Sequence, residues 1–289
     1  MTPAHVLQIT TPKGVVLNSL WFGPTKPSKV IILIHGLTGS VFSQHSLVAS
    51  LIHSSTAVIT FNNRGFEQVV SVVQKVGKKS RYLTVGGTHE KFIECADDIE
   101  GVVTFAKEQG VKSVFLAGHS TGCQKAVYWA AKNGEGVDGI ILLGPLSDYA
   151  GLLAEKGERV LKSGVSYARK LVAAGRPREL MPVRYREEWF LCDAQRYISL
   201  YTPDSPEEIF SYAQPLRVPQ TMLAAGVPLL VLLAGKDEYA DRPAKSIAEW
   251  FESHLSNQNR VMIIPAVGHS FKGGETEVTS AIKKFTSKK

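Results

Sequence analysis

The sequence predicts an α/β fold, a mostly parallel, doubly wound sheet with an inserted helical cap, and three observations predict it. Largely apolar runs of strand length, at residues 29–34, 57–61, 113–117, 138–143, 228–234 and 260–265, alternate with segments of helical spacing. Polar residues follow directly behind these runs, which in a parallel sheet gathers them on one edge. The alternation then stops between residues 146 and 226, where helical patterns and six prolines occur without a buried strand. That stretch is too long for a simple crossover. It reads as an insertion, leaving residues 1–145 and 227–289 as the core.

Taken in order, residues 5–10 and 15–22 read as a hairpin turning at Pro12-Lys13-Gly14. Residues 29–34 form an unbroken apolar strand that ends in His35-Gly36-Leu37-Thr38-Gly39. A helical segment at 42–53 leads to the strand 57–61, which ends in Asn62-Asn63-Arg64-Gly65. Residues 69–87, with their glycines and lysines, read as a surface loop. Residues 90–109 predict an amphipathic helix with Phe92, Ala96, Ile99, Val103 and Ala106 on one stripe. Thr88 is its candidate cap, and Glu90 suits its first turn. Within the insertion, Leu161, Val165, Ala168 and Val172 make another stripe. The strand 228–234 is followed by a helix at 241–255, which Asp241 would cap, then by the strand 260–265 and a helix at 275–286.

Composition narrows the possibilities. A chain of 289 residues buries about three quarters of its unfolded surface and needs no disulfide or metal to hold it. Cys95, Cys123 and Cys192 are odd in number, widely spaced and without a C-x-x-C pair, which fits a reducing compartment. Residues 1–11 lack the basic-then-apolar order of a secretory signal. No apolar run approaches the ~18 residues of a membrane span. The expectation is a soluble, cytoplasmic protein with no membrane partner. The net charge of +7 is concentrated at Lys75, Lys78, Lys79 and Arg81 and at Lys283, Lys284, Lys288 and Lys289. No aromatics interleave with these lysines, so no nucleic-acid partner is expected. There is no H-E-x-x-H, and no G-x-G-x-x-G opens a helix. Gly77-Lys78-Lys79-Ser80 lacks the glycine frame of a P-loop because position 72 is valine. Neither a metal nor an organic cofactor is expected.

The chemistry centres on Gly118-His119-Ser120-Thr121-Gly122, between the strand 113–117 and a helix from 123 to 133. A G-x-S-x-G in that context is a nucleophile elbow: the glycines leave room for a strained turn that lifts the serine hydroxyl above the sheet. A serine needs a base. His269, following the strand 260–265, is the candidate, while His119 is expected to pack structurally. The base needs an acceptor on its other ring nitrogen. Asp237 ranks first, Asp148 second and Glu238 third. An oxyanion needs two N–H donors, for which the backbones of Thr121 and Leu37 are the candidates. Serine, acid and histidine in that chain order is a hydrolase arrangement.

With these residues in view, the sequence resembles the α/β-hydrolase superfamily over nearly its whole length. The matching features are His35-Gly36, a D-x-R-G-like turn at Asn62-Asn63-Arg64-Gly65, the elbow, and the late Asp237 and His269. More narrowly, Gly118 to Gln124 and Asp237-Glu238-Tyr239 resemble a family of poorly characterised hydrolases that includes fungal siderophore esterases. Lys125 stands where that family usually continues with Asp. The resulting expectation is hydrolysis of a small or medium acyl ester or thioester through an acyl-Ser120 intermediate. The alternatives are an amidase, lactonase or acyltransferase with the same triad, or a ligand-binding receptor on a hydrolase scaffold. The insertion holds Tyr185, Trp189, Phe190, Tyr197, Tyr201, Phe210 and Tyr212. Between residues 151 and 220 it has eleven Lys/Arg against nine Asp/Glu. That near-balance predicts a pocket that selects mainly by shape and apolar contact.

Overall fold

The computed structural model describes residues 2–287. Met1, Lys288 and Lys289 lie outside the described residues. The chain opens with the antiparallel pair β1 (Ala4–Thr10) and β2 (Val16–Phe22), then β3 (Lys29–Ile34), α1 (His45–Leu51) and β4 (Thr56–Phe61). A separate two-stranded hairpin, β5 (Val70–Val76) and β6 (Lys79–Val85), precedes α2 (Cys95–Glu108). β7 (Ser113–His119), α3 (Thr121–Asn133) and β8 (Gly139–Leu143) follow. Helices α4 (Asp148–Lys156), α5 (Glu158–Ala173), α6 (Ala194–Tyr201) and α7 (Gln220–Leu223) come next. The chain closes with β9 (Leu229–Ala234), α8 (Ala244–His254), β10 (Arg260–Ile264) and α9 (Glu275–Thr286).

The main sheet has eight strands in the order β1-β2-β4-β3-β7-β8-β9-β10. Pairing is antiparallel up to β2–β4 and parallel from there on. The apolar runs explain this. In β3, Val30, Ile32 and Ile34 join one buried cluster while Ile31 and Leu33 join another on the opposite face. A strand apolar on both faces needs cover on both sides. Ile99 and Val103 of α2, Val127 of α3 and Phe251 of α8 cover the first face. Leu47 and Leu51 of α1, with Val278 and Ile282 of α9, cover the second. Helices α4 to α6 build a third cluster around Leu152, Leu161, Ala168, Phe190 and Tyr197, whereas Phe210, Tyr212 and Met222 pack into the first sheet cluster. No helix among the described residues is long and apolar enough to cross a membrane.

The architecture is the doubly wound sheet that the sequence predicts, and four local expectations need correction. Residues 69–87 are not a loop but mainly the β5–β6 hairpin, turning at Gly77, whose φ of 59° suits glycine. Only Val72 and Val85 of this hairpin are buried, so its alternation is diluted by exposed Lys and Ser. Helix α2 starts at Cys95 rather than 90, after short 3-10 turns at Gly87–His89 and Phe92–Glu94, and Thr88 makes no cap bond. Glu90 is instead extended and buried against two cations, described below. Asp241 does not cap α8, whose N-cap is Pro243; it pairs with Arg242 at 2.7 Å. In α5 the fully buried residues are Leu161, Gly164, Ala168 and Leu171, so the stripe is rotated away from Val165 and Val172.

Candidate active site

The parallel register brings the strand ends together. Ile34 pairs with Gly118 and His119 with Leu143, so the loops after β3, β7 and β8 emerge side by side. At the end of β7, Ser120 takes φ 53° and ψ −127°, a strained conformation for a residue with a side chain. Its N–H donates to the Leu143 carbonyl at 2.9 Å, and its carbonyl accepts from Cys123 N–H at 2.8 Å, which holds the turn. A Cβ at Gly118 would strike the Gly122 carbonyl, and one at Gly122 would strike the Ile34 carbonyl oxygen. The glycines of the elbow are therefore required by close backbone approach. A Cβ at Gly36 would lie 2.7 Å from the Ser120 Cβ, so the His35-Gly36-Leu37 loop sits directly against the serine. Thr121 is the first residue of α3, so its N–H has no intrahelical acceptor. The Leu37 N–H has no backbone acceptor among the described residues.

His269 Nδ1 hydrogen-bonds Asp237 Oδ2 at 2.8 Å. The ring is fixed from several sides. Its backbone N–H donates to Glu238 Oε2 at 2.8 Å, and its carbonyl accepts from His119 Nε2 at 2.9 Å. The Tyr239 ring meets it edge-on at 5.0 Å, and the His119 ring lies tilted at 5.0 Å. Gly144, with φ 64°, leaves space for it: a Cβ there would come within 3.1 Å of His269 Cε1. Burial, followed by the adjacent His269, holds His119 down to about 4, so His119 is neutral and serves as a donor. Ser120 and His269 line one cavity, with no direct hydrogen bond between their side chains among the described residues. In unliganded enzymes such contacts are often long and tighten only around substrate.

The three candidate acids are thus separated by geometry. Asp237 reaches the imidazole, while Glu238 holds the His269 backbone. Asp148 sits on α4 and accepts from Gln124 Nε2 at 3.1 Å. Burial, then the nearby Glu207 charge, pushes Asp148 up to about 8, so it is largely uncharged at neutral pH. The part played by Tyr239 is absent from the sequence reading, whereas His119 packs against His269 and bonds its carbonyl, the structural part expected of it. The contiguous Asp237-Glu238-Tyr239 after a strand was the available signal for Tyr239.

A buried ionic cluster supports the elbow from below. Lys125 on α3 is fully buried, pairs with Glu90 Oε1 at 2.6 Å and donates to Asn63 Oδ1 at 3.1 Å. Glu90 Oε2 lies 2.9 Å from Arg196 Nη2 on α6, and Arg196 also pairs with Glu207. His35 Nδ1 donates to the Gly36 carbonyl at 2.8 Å, and its Nε2 accepts from Asn63 N–H at 3.3 Å. Burial first and Lys125 second hold His35 down to about 3, keeping it neutral. The turn after β4 is locked to α2 by Arg64, which pairs with Asp98 at 2.8 Å and Asp97 at 2.7 Å. Glu90→Gln leaves Lys125 without its carboxylate and weakens the hold on Arg196. A loss of about 3–5 kcal/mol is expected, the usual cost of stripping one partner from a buried pair. It should be measured as a lower urea midpoint at unchanged slope. A loss below about 1 kcal/mol, the value of an exposed pair, would show that the cluster does not hold α3 and α6 together.

The cavity has a volume of about 700 Å³, and its walls include Gly36, Leu37, His119, Ser120 and His269. Of the nine aromatic residues of the insertion, Trp189 and Tyr201 line it. Among the described residues no cluster of three or more His, Cys, Asp or Glu is placed to hold a metal ion.

The family described as "Protein of unknown function (DUF1749)" matches residues 70–286. Among solved structures, siderophore hydrolase EstB from Aspergillus fumigatus is similar with a TM-score of 0.69 at 17% identity, over 99% of this chain and 98% of that one. Est1E from Butyrivibrio proteoclasticus, with ferulic acid bound, gives a TM-score of 0.62 at 19% identity, over 97% of this chain and 98% of that one. A highly thermostable carboxyl esterase from Bacillus coagulans gives 0.63 at 13% identity, over 99% of each chain. Among curated proteins no sequence matches. At such identities the structural likeness speaks for the fold.

Proposed function

The chain belongs to the DUF1749 family and has the α/β-hydrolase fold, and from that premise and the geometry around Ser120 we propose that it is a serine hydrolase of carboxylic esters or thioesters. One observation carries the reading. A serine held at φ 53° in a strand-to-helix elbow shares a cavity with a histidine that is hydrogen-bonded through Nδ1 to a buried aspartate.

In this mechanism His269 Nε2 takes the Ser120 proton as Oγ attacks the acyl carbon. The oxyanion so formed is held by the N–H groups of Leu37 and Thr121, at the positive end of α3. Collapse breaks the bond to the alcohol or thiol, which leaves with the proton from His269. Water, deprotonated by His269, then attacks acyl-Ser120 and releases the acid. Asp237 keeps the proton on Nδ1 and stabilises the imidazolium, while Glu238, Tyr239 and His119 fix where the ring stands.

Residues 146–226 are proposed as the cap over this site, with residues 1–145 and 227–289 as the core. The third apolar cluster supports a cap built around residues 152–201. The three cysteines are buried and free, which supports the proposal of a reducing, cytoplasmic setting. The test is labelling of Ser120 by a fluorophosphonate, followed by turnover of p-nitrophenyl acyl esters. Labelling without turnover would favour a binding scaffold over an enzyme.

Trp189 and Tyr201 are the cap aromatics that reach the cavity. Trp189→Ala or Tyr201→Ala should therefore shift the preferred acyl length, with discrimination of about 1–3 kcal/mol per methylene. Tyr197→Ala, which empties the cap's own cluster, should lower stability instead. An unchanged kcat/KM profile across graded esters for both cavity variants would remove these residues from substrate selection.

A further inference from the structure

The chain has 33 Lys/Arg against 26 Asp/Glu, yet among the described residues the cavity at Ser120 is lined by five carboxyl side chains and by no Lys or Arg. The carboxyls are Asp148, Glu155, Glu187, Glu238 and Asp241. Two arginines of the insertion are engaged elsewhere, while Lys156 pairs with Glu155. Arg196 is locked to Glu90 and Glu207, and Arg186 donates to the carbonyls of Met181, Glu187, Glu188 and Phe190.

Some of the five have local partners. Glu238 holds the His269 N–H, and Asp148 takes the Gln124 amide. Asp241 pairs with Arg242 through Oδ2, but its Oδ1 is buried without a hydrogen-bond partner. Asp241 lines the cavity, so this unfilled acceptor lies behind its wall. Glu155, on α4, and Glu187 both line the cavity, and Glu155 Oε1 pairs with Lys156 at 2.6 Å. Burial first, and then the neighbouring Glu155 carboxyl, push Glu187 up to about 7. Two neighbouring carboxyls must share a proton or find a cation. In a recess lined by one sign of charge the field is focused, and an incoming cation is concentrated there.

Resting on the serine hydrolase reading, we propose that the substrate is an ester bearing a cationic group, an ammonium or guanidinium, which binds at Glu155 and Glu187 while Ser120 attacks the acyl carbon. An ammonium supplies charge and donors to a wall that, among the described residues, no Lys or Arg lines. The cap then selects by charge as well, which goes beyond the pocket selecting mainly by shape and apolar contact that the near-balance of the insertion predicts. The balance of the segment does not describe its inner wall.

The experiment uses two matched ester pairs at low ionic strength. In one pair the charge is in the alcohol: choline against 3,3-dimethylbutyl esters of one acid. In the other it is in the acyl group: 6-aminohexanoyl against heptanoyl p-nitrophenyl esters. The readout is the ratio of kcat/KM, cationic over neutral, within each protein. In the wild type at least one ratio should reach about tenfold, the weight of one charge-assisted hydrogen bond. In the double variant Glu155→Gln/Glu187→Gln that ratio should fall towards one. In Glu158→Gln, which removes an exposed acid outside the cavity, it should stay high. Turnover with ratios near or below one in both pairs overturns the inference and leaves the hydrolase reading standing. A high ratio that survives the double variant also overturns it. Absence of turnover on all four esters overturns the hydrolase reading, and this inference with it.

Discussion

Replacing Ser120 with alanine is expected to lower kcat by about 10⁶-fold, the loss seen when a serine nucleophile is removed from a serine protease. The size of the effect follows from what the elbow is built to do. The backbone at Ser120 is strained, both flanking glycines are required by close backbone contacts, and the Gly36 loop is pressed against the side chain. Strain of that kind persists where surrounding structure over-determines it, and it clusters at reactive positions. Among the described residues the hydroxyl has no hydrogen-bond partner, so its removal should leave the unfolding free energy within about 0.5 kcal/mol of the wild type. Activity should vanish while the fold stays. The measurement is turnover of a p-nitrophenyl ester alongside fluorophosphonate labelling, both on purified protein. A variant retaining a tenth of wild-type activity would end the assignment of Ser120 as nucleophile.

The sheet was legible because its strands are apolar on both faces, and a run such as Val30 to Ile34 has no other comfortable place. The elbow was legible because its glycines, its serine and its strand-to-helix setting are contiguous. The β5–β6 hairpin was hidden by its exposure: with only Val72 and Val85 buried, the period of two is masked by lysines and serines. The start of α2 was misplaced for a different reason. Glu90 has the right chemistry for a first turn, but the buried cations Lys125 and Arg196 hold it in extended backbone. Those partners are distant in sequence, so local propensity loses to a contact that no local pattern announces. The cavity's charge was hidden in the same way. Counting charges along residues 151–220 gives near-balance, whereas folding turns Glu155 and Glu187 inward and ties Arg196 into the cluster behind. The sequence ranks Asp237 ahead of Asp148, although both follow strands on the same edge.

That choice carries the second large effect. Asp237→Asn keeps the volume of the side chain but offers an amide to His269 Nδ1, which favours the wrong tautomer and leaves the imidazolium without its counter-charge. A loss of about 10⁴-fold in kcat is expected, as for the aspartate of other serine triads. Asp148→Asn should cost far less, for two reasons. Asp148 is bonded to Gln124 and not to the imidazole. Burial and the Glu207 charge also push it up to about 8, so near pH 7 it is already mostly the neutral acid that asparagine imitates. A group in that state cannot stabilise a positive charge on His269. The two variants should therefore differ by orders of magnitude in kcat at pH 7, with fluorophosphonate labelling slowed in Asp237→Asn and near wild type in Asp148→Asn. If the losses are reversed, Asp148 orients the base, and the 2.8 Å contact between Asp237 and His269 serves only to fix the loop.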